Sequence, residues 1–177
     1  MIIEMFNTFY PDDYVASTYV IDFDEVYRLG YRGLIFDIDN TLVPHGKPAD
    51  RRAIELFDRL RIIGFNTCLI SNNQEPRVKP FAEQVESKYV FDAHKPSTKN
   101  YKKAMELMYT NTDTTLFIGD QLFTDVWGAK RAGIKSILVR PIHPKEEIQI
   151  VLKRYLEKIV LHFYKKDKKN GKIKSKI

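Results

Sequence analysis

Short apolar runs alternate with longer amphipathic stretches along most of the 177-residue chain, a pattern that predicts strands separated by helices. The first clear strand covers roughly Gly33 to Asp37, with Leu34, Ile35 and Phe36 as its apolar body. Four more strands follow at Phe65–Ile70, Tyr89–Phe91, Thr115–Ile118 and Ser136–Val139. Helices are expected from about Ala49 to Ile63, Pro76 to Ser87, Thr98 to Tyr109 and Thr124 to Gly133. The first of these carries Ile54, Phe57 (or Leu56) and Leu60 at helical spacing and stops at Gly64. The third turns Tyr101, Met105 and Met108 inward. A shorter helix, capped by Asp22 and ended by Gly30, precedes the first strand and bears Phe23, Val26, Tyr27 and Leu29. Strands and helices alternating with short connections predict an α/β fold, a five-stranded parallel sheet with helices on both faces.

Both flanks depart from this pattern. Residues 1–32 form a lead-in expected to pack on the core, its first stretch, Met1 to Ile21, aromatic-rich (Phe6, Phe9, Tyr10, Tyr14, Tyr19) and irregular around the turn Pro11-Asp12-Asp13. Toward the other end, Ile148, Leu152, Tyr155, Ile159 and Phe163 make a helical stripe, widened by Val151, Leu156 and Val160. Lys153, Arg154, Glu157 and Lys158 lie off it. The stripe suits a helix packed on the sheet, or a surface helix for an anionic membrane. The globular domain then spans residues 33–164, and the lysine-rich residues 165–177 are expected to be disordered.

Charge sharpens that division. The net charge is +6, yet residues 153–177 hold ten Lys or Arg against Glu157 and Asp167, so the body is close to neutral. A single cysteine, Cys68, lies within an apolar run and reads as a core filler, which fits a reducing cytoplasm. The first residues lack the basic start and apolar stretch of a signal peptide, and no apolar run reaches spanning length.

The chemistry-bearing residues fall at strand ends, where open α/β sheets bind ligands. Asp37 and Asp39 end the first strand, Ser71 and Asn72 the second, Lys95 follows the third, and Asp120 and then Asp125 follow the fourth. Two carboxylates so close raise each other's pKa, a conflict that a hard divalent cation such as Mg2+ removes. Such a set suits phosphoryl transfer. Asp37 can attack phosphorus and Asp39 can act as acid and then base. Ser71 and neighbouring N–H groups can hold phosphate oxygens, with Lys95 supplying positive charge. Asp120 can complete the metal site with Asp125, although Asp125 also suits a helix N-cap. His45 and His94 flank these residues and receive no role, while Leu42, Val43 and Pro44 are expected to shape the rim.

The set Asp37-x-Asp39-x-Thr41, Ser71, Lys95-Pro96 and Gly119-Asp120-x-x-x-Thr124-Asp125 resembles the four motifs of the haloacid dehalogenase superfamily, in the family's order. The resemblance implies a Rossmann-like core, Asp37 as nucleophile and Asp39 as acid/base. It also implies Mg2+ bound by Asp37, the main-chain carbonyl of Asp39, and Asp120. Thr41, Ser71, Asn72 and Lys95 then face the substrate. Asn40 stands where many members carry Gly and is common in the phosphatase branch with little or no cap. Only 29 residues separate Thr41 from Ser71, and 23 separate Ser71 from Lys95, which leaves no room for a cap domain.

Pro11-Asp12-Asp13-Tyr14-Val15, Gly30-Tyr31-Arg32-Gly33 and Asp37-Ile38-Asp39-Asn40-Thr41-Leu42-Val43 further resemble the YqeG-type subfamily IIIA phosphatases. That group is similar to the phosphatidylglycerophosphate phosphatases. This implies a cytoplasmic, peripheral, Mg2+-dependent enzyme acting on a lipid headgroup. The resemblance runs from about Pro11 to Arg140, and contact of the basic C-terminal segment with anionic membrane is expected from its lysines instead. Two other readings remain open: a phosphatase for a soluble sugar or nucleotide phosphate, and an RNA- or ribonucleoprotein-binding protein using the basic tail. Nucleic acid ranks lower, because no stacking platform accompanies the lysines.

Overall fold

Leu34 and Phe36 pack against one layer of helices and Ile35 against the other, the period-two division that a strand covered on both faces requires. The computed structural model describes residues 6–143 and 148–173, with side chains of the last helix described from Lys153 onward. The elements in chain order begin with β1 (Asp13–Val15), α1 (Phe23–Arg28), β2 (Gly33–Phe36) and α2 (Arg51–Ile63). They continue through β3 (Asn66–Ile70), α3 (Glu75–Gln84), β4 (Lys88–Val90) and α4 (Lys99–Met108). The last are β5 (Thr115–Gly119), α5 (Trp127–Arg131), β6 (Lys135–Val139) and α6 (Ile148–Lys169).

All strands pair in parallel in the order β1-β6-β5-β2-β3-β4. The chain builds outward from β2 to β4, then crosses back to lay β5 on the other side of β2. The switch point therefore lies between β2 and β5, where a crevice opens beyond the carboxyl ends of the strands. Gly64 closes α2 in the left-handed conformation at φ 111°, with its N–H bonded to the carbonyls of Leu60 and Arg61. From Thr41 to Ser71 the chain makes only a loop, α2 and β3, so no cap is inserted.

The sheet has one strand more than the five expected. Asp13, Tyr14 and Val15 pair with Ile137, Leu138 and Val139. Three residues are too few to show a period, so only pairing with β6 reveals this strand. Beside it, Asp12 accepts from the Ser136 N–H at 2.9 Å.

The last helix also departs from expectation, in two ways. It runs on through Lys165–Lys169, residues expected to be loose. Asp167 accepts from the Tyr10 hydroxyl at 3.1 Å, and Lys168 bonds Asp13 at 2.9 Å; these partners hold the end of the helix. Moreover, its buried face coincides with the apolar stripe only in part, at Val160 and the partly buried Phe163. Glu157, Val160, Tyr164 and Asp167 are buried, whereas Tyr155, Leu156 and Ile159 are exposed. The reason is specific polar partners on the inner face, described below, which periodicity of apolar residues does not reveal. Ile148, Val151 and Leu152 of the stripe lie outside the side chains described. Among the described residues, no helix is long and apolar enough to cross a membrane.

Part of the lead-in straps the loop after β2. The Thr18 hydroxyl donates to the Thr41 carbonyl at 2.8 Å, and the Tyr19 hydroxyl donates to the Leu42 carbonyl at 2.7 Å. Thr18 is fully buried, so Thr18→Val leaves the Thr41 carbonyl without this donor. The expected cost is about 1–3 kcal/mol, read as a lower urea midpoint with an unchanged slope. A midpoint equal to wild type would mean that the strap contributes nothing.

Candidate active site

The site grows from the ends of β2 and β5, the two strands that flank the switch point. Just past β2, Asp37 is anchored through its N–H to the Ile118 carbonyl at 3.0 Å. The chain then turns at Asn40, whose φ of 63° is left-handed, a conformation Asn tolerates better than most residues. The Asn40 carbonyl and Oδ1 accept from the N–H groups of Ile142 and His143. This fixes the turn that brings Asp39 round toward Asp37.

Lys95 reaches into the buried centre from the loop after β4. Its ammonium donates to Asp37 Oδ1 at 2.5 Å and to Asp125 Oδ1 at 2.7 Å. Asn72 fixes that loop by accepting from the Lys95 N–H at 2.7 Å. Ser71 Oγ accepts from the Asn73 N–H at 3.1 Å. The Thr41 hydroxyl lies within reach of both Asp37 Oδ2 (3.4 Å) and Asp120 Oδ1 (3.3 Å). All eight sequence-derived residues are accordingly clustered: Asp37, Asp39, Thr41, Ser71, Asn72, Lys95, Asp120 and Asp125.

Asp125 sits on a wide turn of π geometry, Leu122–Val126, a feature that often marks functional sites. It is no N-cap of α5. Its Oδ2 instead accepts from the N–H groups of Asp120 and Gln121, each at 3.1 Å, while Oδ1 holds Lys95. Both oxygens are engaged, so its geometry favours orienting Lys95 over binding metal directly. Gly119 leaves room for this carboxylate, since a β-carbon there would stand 2.6 Å from Asp125 Oδ2.

Two residues outside the expected set complete the electrostatics. Arg154, from α6, pairs with the Asp120 carboxylate and donates to the Asp120 carbonyl at 2.6 Å. Glu157 steadies Arg154 at 2.9 Å and accepts from the Leu122 N–H at 2.7 Å. Arg77, from α3, donates to Asp39 Oδ1 at 2.9 Å, while Asn73 donates to Oδ2 at 2.7 Å. Neither arginine stands at a strand end, so the rule that located the others passes over them. Lying off the apolar stripe was the only signal at Arg154.

The buried centre holds three carboxylates, Asp37, Asp120 and Asp125, against two cations, Lys95 and Arg154, and Arg154 is shared with a fourth buried carboxylate, Glu157. Burial pushes Asp37 up to about 7, against the opposing pull of Lys95. Burial, then Asp37 and Asp125, drives Asp120 well above the ordinary carboxylate range despite Arg154. This surplus of negative charge, with oxygen donors from the three carboxylates within 4.8 Å of one another, fits a hard divalent cation such as Mg2+. The centre opens to a polar cleft of about 250 Å³ lined by Asp37, Asp39, Ser71, Lys95 and, from α6, Lys153. A second cavity of about 360 Å³, more apolar, lies on the other side of Arg154 between α6 and β6.

If Arg154 compensates Asp120, its removal strands a buried carboxylate. Arg154→Met is expected to cost about 3–5 kcal/mol without Mg2+, with Mg2+ restoring part of the loss. Thermal melts with and without the ion check this. The Mg2+-induced rise in Tm should be larger in the variant than in wild type; an equal rise would count against the compensating role.

The comparisons agree with this geometry. A family model described as HAD-hydrolase-like matches residues 93–147. "Probable phosphatase YqeG" of Bacillus subtilis (strain 168) is 34% identical over 159 residues, covering 89% of this chain and 92% of that protein. "Phosphatidylglycerophosphate phosphatase 1, chloroplastic/mitochondrial" of Arabidopsis thaliana is 23% identical over 168 residues, 84% of this chain but 48% of that protein. An uncharacterized protein from Corynebacterium glutamicum has the same fold at TM-score 0.50 and 21% identity, covering 76% of this chain and 96% of that one. Given that identity to YqeG over nearly the whole of both chains, together with the acidic strand ends, the chain belongs to the haloacid dehalogenase superfamily of phosphatases, in its YqeG-like branch.

Proposed function

We propose that the protein removes a terminal phosphate from a lipid headgroup, converting phosphatidylglycerophosphate to phosphatidylglycerol through an aspartyl-phosphate on Asp37. The observation that carries the phosphatase chemistry is Asp37 itself, held by Lys95 at the floor of an uncapped polar cleft. Asp37 attacks phosphorus as the ester P–O bond breaks, and Asp39 gives its proton to the departing glycerol oxygen. Asp39 then takes a proton from water, whose oxygen attacks phosphorus. The P–O bond to Asp37 breaks and inorganic phosphate leaves.

Ser71 and Lys95 face the phosphoryl oxygens, Lys95 adding charge where the transition state spreads it. Asn72 holds the backbone at Lys95, and the buried Thr41 hydroxyl stands behind Asp37 and Asp120, in contact with those two carboxylates. Mg2+, held by Asp37, Asp120 and, as the family resemblance implies, the Asp39 carbonyl, would neutralise phosphoryl charge. Asp125 acts through Lys95 and the Asp120 backbone. Arg77 and Asn73 hold Asp39 turned toward the rim, so the carboxylate must release a partner to meet the leaving oxygen.

The lipid assignment is supported by the open cleft, by Lys153 on its rim, and by similarity to the Arabidopsis enzyme. The test is Mg2+-dependent phosphate release from phosphatidylglycerophosphate in mixed micelles, compared with soluble sugar and nucleotide phosphates. The lipid should be turned over preferentially, and Asp37→Asn should lower the rate by at least about a thousandfold. Release confined to soluble esters would overturn the lipid assignment and leave the phosphatase. Lys95→Met should lower kcat by about a hundredfold or more, and should also lower Tm, because it leaves Asp37 and Asp125 buried without their shared cation. An unchanged kcat would remove Lys95 from the phosphoryl site.

A further inference from the structure

The outward face of α6 matches none of the chemistry described so far. Tyr155, Leu156 and Ile159 are 63%, 53% and 50% exposed, and all three belong to the one apolar stripe of the helix. On the same outer side, Lys158, Lys166 and Lys169 are exposed, while Lys165 reaches over the Tyr14 ring toward β1. Spacing explains the grouping: Lys158 follows Tyr155 by three, and Lys166 follows Ile159 by seven. Both carboxylates of the helix, Glu157 and Asp167, are buried on the other face and engaged by Leu122, Arg154 and Tyr10. The outer face thus combines large apolar side chains with cations and no acid.

We propose that this face seats the protein on an anionic phospholipid bilayer. Apolar side chains flanked by lysines, on a helix with an opposing polar face, are the chemistry of an interfacial helix. The absence of acid on that side gives it charge complementarity to anionic headgroups. The face also continues to the catalytic cleft. Lys153, on the cleft rim, is the i−3 neighbour of Leu156 and so lies beside the edge of the stripe. A bilayer against the stripe brings its headgroups to the mouth of the cleft. This inference rests on the lipid-phosphate reading above and adds to it the surface by which substrate is approached.

The experiment uses full-length protein carrying Asp37→Asn, so that binding is read without turnover. It is sedimented with vesicles of equal parts phosphatidylcholine and phosphatidylglycerol, or of phosphatidylcholine alone. Binding should require phosphatidylglycerol and weaken with salt. Adding Leu156→Asp and Ile159→Asp should reduce the bound fraction roughly tenfold, and Lys158→Glu with Lys166→Glu should flatten the salt dependence. These positions are exposed and outside the cleft, so circular dichroism and melting should be unchanged. In the Asp37 background, soluble-ester hydrolysis should match wild type for both pairs.

Equal binding to both vesicle types, or undiminished binding by the variants, would overturn the proposal. So would salt-sensitive binding to single-stranded RNA that outcompetes the vesicles, or a dimer abolished by the same substitutions. The two readings separate cleanly. Micellar lipid turnover without vesicle binding refutes this seat alone, whereas vesicle binding without lipid turnover refutes the substrate alone.

Discussion

The compensation of buried negative charge governs how this molecule is built. Three carboxylates out of water cost several kcal/mol each unless they are paired. The fold supplies Lys95 between Asp37 and Asp125 and Arg154 against Asp120. Each cation comes from a different part of the chain, and each needs its own support. Asn72 fixes the backbone at Lys95, while Glu157 fixes Arg154. With Glu157 also buried against Arg154, the carboxylates, when ionised, outnumber the cations by two. That shortfall is what makes the centre receptive to a divalent ion rather than merely stable.

The same requirement accounts for features that otherwise look incidental. The π turn at Leu122–Val126 lets Asp125 fold back on two backbone N–H groups while it grips the ammonium. Gly119 is small because that carboxylate occupies the space above it. Tyr101 donates to the carbonyls of Thr124 and Asp125, tying α4 to the same turn. Phosphatases of this superfamily are phosphoryl-transfer machines in which positioning carries most of the catalysis, and here positioning extends through three shells of named contacts.

Most of this was legible in the sequence, for physical reasons. Parallel strands buried on both faces must be apolar, so β2, β3, β5 and β6 declare themselves as short runs, and their polar ends declare the site. Asp37, Asp39, Ser71, Lys95 and Asp120 needed no more than that. The strand β1 escaped because three residues carry no period, and its existence depends on a partner 124 positions away at Asp13 and Ile137. Arg77 and Arg154 escaped because they act from helix sides, where an arginine is ordinarily solvated. The inward face of α6 was misjudged for a related reason: an apolar stripe predicts burial only when no polar partner competes. Asp120, Leu122 and Tyr10 supplied such partners.

The pairing of Arg154 with Asp120 has a consequence for the order of folding. Asp37, Lys95 and Asp125 can assemble once β5 and the turn after it are in place. Asp120 must wait for a cation from the last helix, and α6 can dock only on a finished sheet edge where β1 lies beside β6. The lead-in and first strand meet the last helix there, Tyr10 against Tyr164 and Asp167, and Asp13 of β1 against Lys168. Contacts of such sequence separation form late, because loop closure must precede them. The charge balance of the centre therefore depends on the seating of the last helix, and a change that loosens α6 reaches Asp120 through Arg154 without touching the sheet.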